Sequence, residues 1–257
     1  MKKEKTFRWR LPADYLFKMI PALIFMQKRN FRQDSIDILK SSRIQIDISG
    51  KSNIAKDGPV LFLVNHYSAP GFNALWMAIS ITAICPQNIT WTMTDAWTFP
   101  NRRFRKIARA LSHIILTRIS KVYGFFTFQP ISPEPINIME QALSVRRILH
   151  FARDHPKSML CIAPEGRDSL DCKLGNPPKG AGLLIKAFTD LQYHLIPVGF
   201  YATPGICHLN YGEPIYANIR NSLSKEEINL QISKTVMKSI AELLPDKFRN
   251  HETKEQS

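Results

Sequence analysis

Three features of this sequence predict an α/β fold in which a mostly parallel sheet is covered by helices on both faces. Apolar runs of strand length recur with little polar alternation, the pattern of strands buried on both sides. Helical patterns separate them, the order that builds a parallel sheet through crossovers. No internal repeat and no Gly-, Ser- or Pro-rich linker divides the 257 residues, 44% of them hydrophobic, so one main core is expected.

The elements are read in chain order. Residues 1–45 form a basic amphipathic helical segment, 46–247 the α/β domain and 248–257 a polar tail. Residues 1–32 carry nine cations against Glu4 and Asp14, half of the net charge of +14. Phe7, Trp9, Tyr15, Phe17, Ile20, Leu23, Ile24 and Phe25 are interleaved with them, which suits an interfacial helix on an anionic membrane surface. The alternative is a surface helix docked on the protein's own core. Lys18 and Pro21 interrupt the longest apolar stretch, leaving it short of the roughly 20 residues a span needs. No small-residue cleavage site follows, so the segment is not read as a signal peptide.

Strands are predicted over 60–64, 89–93, 124–128, 159–163 and 195–200, each bounded by breakers. Residues 72–84 are apolar nearly all round, a buried helix. Residues 102–122 form a basic amphipathic helix carrying Arg102, Arg103, Arg105, Lys106 and Arg109. That cluster is either a solvated face or a contact with anionic lipid or the phosphates of an acyl carrier. In 136–152 a stripe of Ile138, Ala142, Val145, Leu149 and Ala152 recurs at spacings of three and four, and in 181–191 Leu184, Phe188 and Leu191 share a face. The last helix opens on a capping box, Ser224 to Glu227, and continues through Ile228, Ile232, Val236 and Ile240.

The excess positive charge calls for an anionic partner. Nucleic acid is not expected, because the basic segments are amphipathic and no recognition motif is present. Cys85, Cys161, Cys172 and Cys207 show no CxxC pairing and no zinc-like spacing to histidine, which points to a reduced cytoplasmic compartment and no metal.

Ligands of parallel sheets bind outside the carboxyl ends of the strands, so the segments after each strand carry the chemistry. The first is Asn65-His66-Tyr67-Ser68-Ala69-Pro70-Gly71. Pro70 suits the first turn of a helix and leaves His66 in the preceding loop, where a neutral imidazole can take a proton from a hydroxyl. A structural histidine bonded to backbone is the alternative. After 159–163 comes Pro164-Glu165-Gly166-Arg167-Asp168-Ser169, in which glycine permits close approach of a ligand and Glu165 can hold hydroxyls, or the segment is simply an acidic turn. Lys179-Gly180-Ala181-Gly182 opens a helix whose amides offer an anion seat.

In this order and spacing the segments resemble the phospholipid/glycerol acyltransferase family, over roughly residues 50–215. Asn65, His66 and Ser68 match its first block, Pro164-Glu165-Gly166 and Ser169 the third, and Ile196-Pro197-Val198 the fourth. The resemblance implies that His66 is the general base, deprotonating an acceptor that then attacks a thioester carried by coenzyme A or acyl carrier protein, with no bound cofactor. It assigns substrate contacts to Asn65, Ser68, Glu165, Gly166, Arg167, Lys179 and Gly180. Three positions depart from the family pattern. Gly71 stands where the first block has the aspartate that orients the histidine. Gln129-Pro130 replaces the Asp-Arg of the second block, unless Thr117-Arg118 supplies it in another register. Asp168 stands where the third block has an arginine, with Arg167 one place away. Candidate replacement carboxylates are Asp95, which can equally be a helix cap, and Asp168, which can equally be a solvated turn; Asn73 could orient the ring without charge. The expectation is a membrane-associated acyltransferase on the cytoplasmic face, acting on a hydroxyl or amine of a lipid-like acceptor other than lysophosphatidic acid. The alternative is a weak or inactive relative that binds lipid or an acyl carrier.

Overall fold

The structure, a computed structural model, describes residues 9–67, 69, 72, 74–97, 104–130, 137–167, 173–216 and 223–249, with backbone alone at 105. Strands β1 (Gln45–Ser49), β2 (Val60–Val64), β3 (Ile89–Thr94), β4 (Phe126–Phe128), β5 (Met159–Ile162), β6 (His194–Thr203) and β7 (Ile206–Tyr211) form one sheet in the order β1-β7-β6-β2-β5-β3-β4. Neighbours are parallel except β6 and β7, which form an antiparallel hairpin. The mostly parallel α/β fold is the one the sequence predicts.

Continuous apolar character locates the interior of this sheet well. All five residues of β2 are fully buried, with Leu61 level with Leu160 of β5 on one side and Leu195 of β6 on the other. β1 and β7 lie outside the predicted set of strands. Their burial alternates, because each covers the core with one side only, so they lack the continuous run that marks the interior strands. β4 starts two residues later than predicted, since Gly124, in the left-handed region at φ 73°, closes the preceding helix.

Helices cover the sheet in pairs. α1 (Ala13–Phe25) packs on α4 (Arg105–Tyr123), α2 (Phe31–Ser41) on α3 (Leu75–Ile84), and α6 (Ala181–Asp190) on α7 (Lys225–Glu242). α5 (Ile138–Asp154) lies against α6 and β4. The capping box of α7 forms as predicted, Ser224 and Glu227 each accepting the other's main-chain N–H. α5 buries Ser144, Ile148 and Ala152, so of its predicted stripe only Ala152 is fully covered.

The basic N-terminal segment is part of the core. Tyr15, Met19 and Ala22 of α1 and Phe31 and Ile38 of α2 belong to the same buried cluster as the strands. A polar brace holds them there. Buried Asp34 accepts hydrogen bonds from the Tyr123 hydroxyl (2.7 Å) and Arg29 Nε (2.7 Å), and Tyr123 meets the Tyr15 hydroxyl at 3.0 Å. At the other end, Phe248, expected to open a polar tail, is buried beside Tyr67 and Tyr201, and its carbonyl accepts from the Leu174 N–H.

Candidate active site

β2 ends at Val64, yet its ladder continues through a side chain. Asn65 Oδ1 accepts from the Phe200 N–H (2.7 Å) and Asn65 Nδ2 donates to the Phe200 carbonyl (2.9 Å), so a side-chain amide stands in for the next peptide group. Asn65 is buried and its amide serves the sheet, a different use from the substrate contact expected of it.

His66 follows directly. Its main-chain N–H donates to Glu165 Oε1 at 2.6 Å, and Glu165 Oε2 accepts from the Gly175 N–H at 2.5 Å. Glu165 is 1% exposed and ties together the loops after β2 and β5 and the segment before α6. A carboxylate accepting main-chain hydrogen bonds in a buried place is a strong fastener, each bond contributing roughly 1.5–3 kcal/mol. Glycine at 175 leaves room for it, since a Cβ there would lie 2.9 Å from Glu165 Oε2. The sequence reading treats Glu165 as a substrate contact; the geometry gives it a positioning task.

His66 lines a cleft of about 310 Å³ at the carboxyl ends of β2, β5, β3 and β4. Thr92, Met93 and Thr94 contribute one wall, and Phe128, Gln129 and Pro130 a second. Ile162, Ala163, Pro164 and Gly166 form the floor by β5, with Lys179 and Gly180 from the turn before α6, Leu184 and Ile185 from α6, and Gln141 and Val145 from α5. The β3 wall and the α5 contribution carry no motif, and only the sheet order brings them to His66. Gly166, Lys179 and Gly180 are therefore brought together with His66 as expected. Gly166 and Gly180 hold positive φ (66° and 90°), which glycine adopts without strain. Arg167 is exposed and does not line the cleft. Among the described lining residues Lys179 is the only cation. No three His, Cys, Asp or Glu side chains among the described residues cluster as a metal site requires.

Two other expectations, the anion seat of α6 and the role of Asp95, meet a different arrangement, and the register of the second block is resolved. The amides at the start of α6 are largely taken: Gly182 and Leu183 donate to Asn229 Oδ1 of α7 (3.0 and 3.4 Å). Gly182 is small because α7 crosses there, a Cβ meeting the Asn229 carbonyl at 2.2 Å. Asp95 lies beside His113 of α4, whose Nδ1 meets the Asp95 carbonyl at 3.0 Å and its carboxylate at 3.8 Å. Burial pushes the Asp95 carboxyl up, opposed by His113 and Arg109. Gln129 stays at the cleft, accepting from the Asn137 N–H and donating to Glu140, whereas Arg118 donates to the Leu23 and Ile24 carbonyls of α1. The register ending in Gln129-Pro130 is thus the one that reaches the cleft. Ser68, Gly71, Asn73, Asp168 and Ser169 lie outside the described residues.

A family model described as Acyltransferase matches residues 45–201, more than half of the chain. The chain belongs to the acyltransferase family. The matched acyltransferase region runs from β1 into β6 and holds His66, Glu165 and all of the described lining of the cleft, while α1, α2 and α7 lie outside it. A comparison with solved structures finds similarity to the 1-acyl-sn-glycerophosphate (LPA) acyltransferase PlsC from Thermotoga maritima. That similarity is 16% in sequence, covers 89% of this chain and 94% of that one, and has a TM-score of 0.49. No curated protein sequence matches the chain.

Proposed function

We propose that this acyltransferase moves a fatty acyl group from a thioester, on coenzyme A or acyl carrier protein, to a hydroxyl or amine of a lipid-like acceptor. The observation that carries the reading is His66 at the mouth of the cleft, fixed through its main chain by buried Glu165. In this scheme the acceptor's O–H or N–H gives its proton to the imidazole and its lone pair attacks the thioester carbonyl. The tetrahedral intermediate then expels the thiolate, which recovers a proton from the imidazolium. Lys179 as the single described cation of the cleft, together with Pro130 and Asp168 at the positions where the resemblance puts the family's arginines, supports an acceptor other than lysophosphatidic acid.

We place the protein at the cytoplasmic face of a membrane, as a peripheral protein on anionic lipid. α1 buries Tyr15, Met19 and Ala22 and leaves Phe17, Ile20, Ile24 and Phe25 more than half exposed. The neighbouring α4 exposes Phe104, Ile107, Leu111 and Ile114 along one stripe beside Lys106 and Lys121. Apolar stripes flanked by cations are what an anionic interface attracts. Among the described residues no helix is long and apolar enough to cross a membrane.

The family resemblance also supports a second reading, that of a weak or silent relative which binds lipid or an acyl carrier, because it puts Gly71 where the orienting aspartate is expected. In serine proteases loss of that group's charge lowers turnover about ten-thousandfold. Release of thiol from acyl-coenzyme A in the presence of lipid acceptors decides between them. The enzyme reading expects acceptor-dependent release that His66→Ala abolishes and Gly71→Asp raises by at least about tenfold. Release that persists in His66→Ala removes this histidine as the base, and no release with any donor or acceptor leaves the binding reading.

A further inference from the structure

α5 carries more apolar surface than it buries. Its covered face is Ser144, Ile148 and Ala152, while Ile138, Ala142, Val145 and Leu149 line a shallow, open groove of about 830 Å³ whose described lining comes entirely from this helix. Arg146, His150 and Arg153, on one face at i, i+4 and i+7, line the same groove, with His150 held by Asp154 at 2.7 Å. Gln141 and Val145 line both this groove and the His66 cleft, so the two are neighbours along α5. From Val145 to Arg153 the helix advances about 12 Å. A site of this shape takes a molecule with its reactive end in the cleft, a slender, partly apolar arm along the helix and a cluster of negative charge beyond.

We propose that the α5 groove is the docking site for the coenzyme A part of the acyl donor. The pantetheine arm lies on Ala142, Val145 and Leu149, and the nucleotide phosphates meet Arg146 and Arg153. This deepens the acyl-transfer reading and rests on it for the chemistry of the ligand. Two arginines on one helical face, about 10 Å apart along the axis and without acidic partners on their own heads among the described ion pairs, suit phosphates spread along an extended ligand, as the pyrophosphate and the ribose phosphate of coenzyme A are. A carrier protein, whose charge is spread over a broad surface, is the other donor and an outcome of the test.

The test is equilibrium dialysis of the full chain with coenzyme A and, separately, dephospho-coenzyme A at low salt. The variants are Arg146→Ala/Arg153→Ala, Ala142→Trp and Arg147→Ala, each checked by thermal unfolding. Ala142 is exposed, so tryptophan fills the groove without entering the core, and Arg147 is an exposed neighbour outside the groove. The expected result is retention of coenzyme A by the wild type and weaker retention of the dephospho form. The arginine pair and Ala142→Trp should each lose at least about tenfold in affinity, with Arg147→Ala unchanged. Unchanged affinity in both groove variants overturns the proposal, as does acyl transfer from acyl carrier protein by a chain that retains no coenzyme A. Thiol release by the wild type with no rise in KM for acyl-coenzyme A in the groove variants overturns the groove and keeps the acyl-transfer reading. Retention with the expected pattern but no transfer keeps the groove and removes that reading.

Discussion

His66 and Glu165 divide the labour of the site between ring and main chain. The carboxylate takes two main-chain N–H groups, one at residue 66 and one at Gly175, in a place closed to solvent. Glu165→Gln keeps the shape but turns one acceptor into a donor facing an N–H. We expect it to lower stability by about 2–3 kcal/mol, a fall in Tm of about 4–12 °C in a thermal melt, and to lower transfer activity by displacing the loop. A variant that melts with the wild type would show that the clasp is dispensable. Part of this was legible: the Pro-Glu-Gly turn and the histidine after a buried strand both stood out. Their relation was not, because a Glu that fastens main chain and a Glu that holds a ligand look alike in sequence. Gly182 shows the same ambiguity. It reads as part of an anion seat, and only the crossing of α7 shows that its missing side chain makes room for Asn229.

At the scale of elements, β2 to β6 were legible, the partly covered β3 and β4 among them, and the alternating β1 and β7 were not. β2, β5 and the centre of β6 announce themselves by unbroken apolar runs, whereas β1 and β7 alternate like any exposed segment. The brace between α1, α2 and α4 had no local signal, since Tyr123 joins it from 89 residues beyond Asp34 and 108 beyond Tyr15. Tyr123→Phe removes one donor to Asp34 and the contact with Tyr15. We expect a loss of about 1.5–3 kcal/mol, and faster proteolysis in the N-terminal helices than in the sheet, measured by limited digestion with mass spectrometry. Uniform protection in the variant would sink the claim that this brace holds the segment down.

For the whole molecule, the exposed apolar side chains of α1 lie beside α4, which exposes Lys106 and Lys121. Phe17→Glu/Ile24→Glu/Phe25→Glu alters side chains 73%, 57% and 71% exposed, so the core is left alone. Each aromatic or aliphatic group inserted into lipid contributes about 1.5–3 kcal/mol, and flotation on anionic vesicles should fall at least tenfold in partition coefficient. Equal flotation of the variant would move the membrane face elsewhere. The interior makes a separate prediction about pH. Burial pushes the Cys85 thiol from 9.0 up to about 12 and the Cys207 thiol to about 11, and raises the phenols of Tyr15, Tyr123 and Tyr211. Above about pH 9 the unfolded chain releases these protons while the folded chain keeps them, so stability falls as pH rises toward 11. Denaturant unfolding from pH 8 to 10.5 should show a midpoint that drops steadily; a flat profile would contradict the burial of these groups. Native Cys85, Cys161 and Cys207 should likewise stay unmodified by a thiol reagent at pH 8 until the chain unfolds.

The clasp at residue 66 has a consequence for how such a protein changes over generations. Because Glu165 grips a peptide N–H, and every residue but proline has one, the side chain at that position is interchangeable as far as the clasp is concerned. Reactivity can be lost, regained or retuned there by single replacements while the framework stays in place. A lineage can therefore drift between catalyst and binding protein without passing through a misfolded intermediate, and a scaffold of this kind is a ready starting point for installing a different nucleophile or base at residue 66.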